Sequence, residues 1–177
     1  MISYGTLEPV FLKRDGVRLA HFEAAPKAPQ SPPLVLVNGW TGDHGIFTPQ
    51  IAHFGQTRRV VAVDLRGHGA SDAPEQEYTI PGFADDIAWQ CAQLGLQKPV
   101  VIGHSFGGAV VLELCGRYPE LASGMVMIDS IVRLPVCGIP QTCNVCWTAS
   151  AGRTTWRYRK PTHGRSVAIS TIRRGER

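Results

Sequence analysis

The stretch that decides the fold is Val100-Val101-Ile102-Gly103-His104-Ser105-Phe106-Gly107-Gly108-Ala109. An apolar run leads into a G-x-S-x-G pattern, and an apolar set at helical spacing follows it: Val110, Val111, Leu114 and Cys115. Such a run reads as a strand covered on both faces, and the spacing after it reads as one face of a helix. A sharp strand-to-helix turn holds its serine in a strained conformation, and glycines at 103 and 107 let neighbouring backbone approach. Ser105 Oγ then stands at the carboxyl edge of a sheet, beside unpaired N–H groups of a helix N-terminus, where negative charge develops in acyl transfer. The bare five-residue pattern also arises in glycine-rich turns; its context is what marks Ser105 as a nucleophile. The segment lacks the Lys-[Ser/Thr] of a phosphate-binding loop and the G-x-G-x-x-G of a dinucleotide fold.

Working outward, three more apolar runs resemble the first: Leu34 to Val37, Val60 to Val63 and Met125 to Ile128. Between them, Phe83, Ile87, Cys91 and Leu94 step by four, four and three, which predicts a helix over Phe83 to Leu96. Upstream, Asp15-Gly16 separates two alternating runs and predicts a hairpin, followed by a Pro-rich link from Pro26 to Pro33. Strand–helix–strand repetition predicts an α/β fold: a doubly wound, mostly parallel sheet with right-handed crossovers.

Three blocks in this order resemble the α/β-hydrolase family, over about residues 8–132. Leu34-Val35-Leu36-Val37-Asn38-Gly39-Trp40 is similar to the family's strand ending in His-Gly, with Asn38 in the His position. Asp64-Leu65-Arg66-Gly67-His68-Gly69-Ala70-Ser71-Asp72 is similar to its D-x-R-G-x-G-x-S block, and the serine elbow comes third. The resemblance implies an oxyanion hole made by the backbone N–H groups of Trp40 and Phe106. It also implies a structural turn at Arg66, His68 and Asp72, and a packed His104. Trp40 has a second reading as a core or pocket-wall aromatic, compatible with the first because the donor is main chain. Members with an Asp nucleophile, the haloalkane dehalogenases and epoxide hydrolases, are disfavoured by Ser105.

A serine nucleophile needs a histidine base and a carboxylate to orient it, and the family supplies them in the order Ser, acid, His. Asp129 follows the strand Met125 to Ile128 and is a candidate acid, with a turn or capping role as the competing reading. His163 is the only histidine beyond the elbow and lies outside any strand pattern. We expect the sheet to be incomplete on its C-terminal side, as a truncation or frame shift after about residue 132 would leave it. Downstream DNA that encodes a lid, a strand-ending Asp and a terminal His in another frame is the corresponding expectation.

Composition divides at the same place. The 177 residues, 44% hydrophobic and 18% charged, exclude wholesale disorder and a collagenous fold. Residues 1–134 carry ten Lys and Arg against thirteen Asp and Glu, whereas residues 135–177 carry eight against one and no Leu, Phe or Met. We therefore expect a partial α/β-hydrolase core over 1–134 and a basic, disordered tail of foreign composition over 135–177. The tail's Cys143-Asn144-Val145-Cys146, with Cys137 and His163, is a weak zinc pattern, and its Arg residues interleaved with Trp156 and Tyr158 are a weak nucleic-acid pattern. Neither partner is expected. No apolar run approaches the ~18 residues of a membrane helix, and the first residues lack a signal-peptide pattern, so a cytoplasmic chain is expected. Together these readings predict a serine hydrolase of an ester, lactone or related acyl or C–C bond, with a small-molecule acyl substrate and neither metal nor organic cofactor. The alternative is a non-catalytic remnant of the fold.

Overall fold

The computed structural model describes residues 7–130 and the backbone of three strands beyond them. The chain enters through a hairpin of β1 (Val10–Arg14) and β2 (Val17–Ala24), whose register pairs Arg14 with Val17. Asp15 and Gly16 have φ of 51° and 87°. Two central residues with positive φ give the turn the twist of the flanking strands, as the Asp-Gly pair predicts. β3 (Gln30–Val37), β4 (Arg58–Val63), β5 (Val100–His104) and β6 (Gly124–Ile128) complete a six-stranded sheet in the order β1-β2-β4-β3-β5-β6. The pairs β4–β3, β3–β5 and β5–β6 are parallel, and the hairpin joins β4 antiparallel. This is the doubly wound, mostly parallel α/β sheet that the apolar runs predict.

The side-chain period of two sends alternate residues of each strand to opposite faces. Val35, Val37, Val61, Val63 and Val101 pack under α2 (Ile80–Gln93) and α3 (Phe106–Arg117), against Phe83, Ile87, Val110 and Leu114. Leu34, Leu36, Val60 and Ala62 pack on the other face against Phe47 and Ile51. Those two residues come from a 3-10 turn (His44–Phe47) running into α1 (Thr48–Phe54), a crossover the sequence reading omits. Only one residue of each segment is buried, so no amphipathic period announces it. β3 also starts inside the expected Pro-rich link, at Gln30, with a register shift between Gln30 and Leu34. Prolines lack the N–H that a regular ladder needs, which explains the interruption.

Beyond residue 130, β7 (Asn144–Ser150), β8 (Arg153–Arg159) and β9 (Ser166–Ser170) pair antiparallel in that order. Cys137, Cys143 and His163 lie outside the described residues, as do the side chains of all of 131–177.

Candidate active site

Ser105 sits between β5 and α3 with φ 51° and ψ −116°. A non-glycine residue pays roughly 1–3 kcal/mol for such a conformation, so the surrounding contacts must hold it. Ser105 N–H donates to Ile128 O at 2.8 Å, and Gly108 N–H donates to Ser105 O at 3.0 Å. A Cβ on Gly103 would fall on the Gly107 and Gly108 backbone, and one on Gly107 would fall on the carbonyls of Val37 and Asn38. The two glycines therefore let α3 start directly against β5 and β3, which forces the tight turn. Ser105 is the N-cap of α3 but makes no side-chain capping bond, so Oγ is not committed to the helix.

The end of β3 approaches the same point. A Cβ on Gly39 would lie 3.3 Å from Ser105 Cβ and 3.1 Å from His104 Nδ1, a close approach that favours glycine here. Asn38 shapes this loop: fully buried, it donates from Nδ2 to Gly39 O (3.0 Å) and Gly42 O (2.6 Å) and accepts from Leu65 N–H at 3.3 Å. The Asn in place of the family's usual His thus has a complete set of partners. Neither Trp40 nor Phe106 N–H meets a backbone acceptor among the described residues. Their rings are in edge-to-face contact at 5.0 Å, which brings the Trp40 loop against the first turn of α3.

Asp129 follows β6 at a φ of 49° and is exposed. Because His104 pairs with Ile128, the next residues, Ser105 and Asp129, leave adjacent strands at the same level. His104 turns its buried Nδ1 toward Gly39, where it has no hydrogen-bond partner. No histidine among the described residues bonds Ser105 Oγ, and His163 lies outside them.

The block after β4 is a framework of paired groups. Buried Asp64 accepts from His44 N–H (2.7 Å) and Ala70 N–H (2.8 Å), and Ser71 Oγ bridges Asp64 O and Ala20 N–H. Arg18 and Asp72 form an exposed ion pair whose hydrogen bonds raise the guanidinium and hold the carboxyl below its usual range. Arg66 grips Asp86 of α2 through two hydrogen bonds of 2.8 Å, and Arg14 joins the same carboxylate at 3.0 Å. One feature is invisible in the sequence. Trp40, His68, Tyr78 and Phe83 come from four separate segments to line an open cleft of about 530 Å³ beside the elbow.

The α/β-hydrolase fold family profile matches residues 32–160. Among curated relatives, 2-(acetamidomethylene)succinate hydrolase of Mesorhizobium japonicum is 34% identical over 98 residues, 55% of this chain and 35% of that protein. Epoxide hydrolase 4 of Mus musculus is 34% identical over 129 residues, 72% of this chain and again 35% of the relative. The chain thus spans about a third of the length of these relatives. Among solved structures, the N-acyl homoserine lactone degrading enzyme Est816 superposes with a TM-score of 0.63 at 29% identity, over 68% of this chain and 45% of that one. Family profile, relatives and fold agree with the strained serine turn and the paired block after β4: the chain belongs to the α/β-hydrolase fold family.

Proposed function

We propose that the chain carries the nucleophilic half of a serine hydrolase that opens an ester, lactone or related acyl bond of a small molecule. The observation that carries this reading is Ser105, held at φ 51° with an Oγ that makes no capping bond, at the start of α3. The N–H groups of Trp40 and Phe106, which have no backbone acceptor among the described residues, are the oxyanion donors of the proposal. Oγ attacks the substrate carbonyl and gives its proton to a base, while the two N–H groups stabilise the oxyanion. Collapse expels the protonated alcohol, and water then hydrolyses the acyl-enzyme. Asp129 is the candidate acid by its level on the sheet, and the base must come from outside the described residues.

Relatives bear the names of a lactone-degrading enzyme, an acetamidomethylene-succinate hydrolase and an epoxide hydrolase. Serine favours acyl chemistry among these. An alkoxide that opened an epoxide would leave an ether, which water does not release. The free thiols of Cys91 and Cys115 support a cytoplasmic location. No helix among the described residues is long and apolar enough to cross a membrane.

A second reading, a binding protein without turnover, is favoured by the lack of any histidine on Ser105 Oγ among the described residues. Hydrolysis of short-chain p-nitrophenyl esters by the wild type and Ser105→Ala separates the two. Sustained Ser105-dependent turnover supports the hydrolase. A stoichiometric burst alone supports an elbow and oxyanion hole acting without a base, and equal rates in both proteins would remove Ser105 from the reaction.

A further inference from the structure

We propose that the cleft bounded by Trp40, His68, Tyr78 and Phe83 is the subsite for the substrate arm next to the scissile carbonyl, and that it takes a flat, uncharged group bearing a hydrogen-bond donor. The proposal rests on the hydrolase reading for its link to the carbonyl, but the cleft's own preference is separable from it.

The walls are aromatic and connected to the elbow. Trp40 packs edge-on against Phe106, the residue after Ser105, and against His68 at 5.5 Å. Phe83 continues the array, edge-on to Phe106 at 5.6 Å and stacked at 24° on Tyr78. Trp40 is 60% exposed, a large apolar surface open to solvent beside the Ser105 turn. A cleft of this size lies within the range that encloses small organic ligands, and aromatic walls favour a planar apolar occupant.

The polar atoms select further. Tyr78 commits its hydroxyl to Pro74 O at 2.7 Å and lays its ring against Gly67, where a Cβ would come within 2.9 Å of it. Arg66 also borders the cleft, but Asp86 of α2 holds its guanidinium through two hydrogen bonds of 2.8 Å, so it is turned to that partner rather than free to recruit a carboxylate. His68 differs. Its Nδ1 lies 3.1 Å from Arg66 O, and a carbonyl only accepts, so in the uncharged imidazole the proton sits on Nδ1. Nε2 is then a lone-pair acceptor, and it has no partner among the described residues. A ligand that places an O–H or N–H there completes the site.

The test measures binding without requiring turnover. Phenylacetamide, 4-methoxyphenylacetamide, 4-hydroxyphenylacetamide and 4-carboxyphenylacetamide are titrated against the full chain, against Ser105→Ala and against His68→Phe by isothermal calorimetry. The hydroxyl compound is expected to bind about five- to tenfold more tightly than the plain and methoxy compounds, the ratio a single hydrogen bond provides. Ser105→Ala should keep that ratio and His68→Phe should bring it to one. Equal binding of all the ligands, no binding, the tightest binding by the carboxylate, or a ratio that survives His68→Phe would each overturn the proposal. The methoxy comparison stands on the wild type alone, so it does not depend on a variant folding. Labelling of Ser105 by a fluorophosphonate is read in parallel: a chain that keeps the ligand ratio but resists the label retains the subsite and loses the nucleophile.

Discussion

At the scale of single residues, the site depends on positions where no other side chain fits. Gly107→Ala places a methyl on the carbonyls of Val37 and Asn38, which no rotamer change can relieve. It should cost about 3 kcal/mol in urea unfolding, and Ser105 should become unreactive to fluorophosphonate because its turn must open. Asn38→Ala strips partners from two carbonyls and from Leu65 N–H in a buried place. A loss of about 2–4 kcal/mol is expected, with weaker Ser105 labelling as the loop that carries Trp40 relaxes. His21 supplies a pH test. Burial lowers its pKa, Glu23 opposes and Arg59 adds to the shift, and its buried Nδ1 has no partner. The unfolded chain therefore takes up this proton first as pH falls through about 6.5, so the stabilisation is present above that pH and declines below it. The urea midpoint should drop between pH 8 and pH 5.5, and His21→Leu should reduce that drop.

At the scale of elements, the hairpin and α2 are tied to the sheet by a charge cluster. Asp86, 3% exposed, holds Arg66 from the loop after β4 and Arg14 from β1. Asp86→Ala leaves Arg66 nearly buried without a counter-charge and should cost about 3 kcal/mol, whereas Asp72→Ala, at an exposed pair, should cost less than about 1 kcal/mol. Equal losses for the two would contradict this division of labour. Between α2 and α3, burial pushes the Cys91 and Cys115 thiols up to about 12. Both should resist iodoacetamide at pH 8 in the native protein and react after denaturation, as mass spectrometry would record. The charge contacts join segments tens of residues apart, which is why no local pattern announced them, whereas the burial of Cys91 and Cys115 follows from their places in the apolar helical sets.

At the scale of the whole molecule, a core rich in Leu and mildly acidic precedes a stretch rich in Arg. We propose that residues 135–177 contribute little to the stability of the core. Trypsin should cut first among the arginines between Arg153 and Arg177, leaving a fragment that unfolds at the same urea concentration as the intact chain. The sequence by itself determined the strands of the six-stranded sheet, the hairpin and the serine turn, because each rests on signals within about ten neighbouring residues: an apolar run, an Asp-Gly pair, glycines two places either side of a serine; the family followed from three such blocks in order. It missed α1, whose few buried residues leave no period to read. Only the tertiary structure decided that Asn38 braces the Trp40 loop, that Asp86 gathers two arginines, and that Trp40 meets His68, Tyr78 and Phe83 around one cleft near the Ser105 turn. Those outcomes depend on which strand ends and loops the sheet order brings together at its carboxyl edge, and spacing along a chain does not encode that neighbourhood.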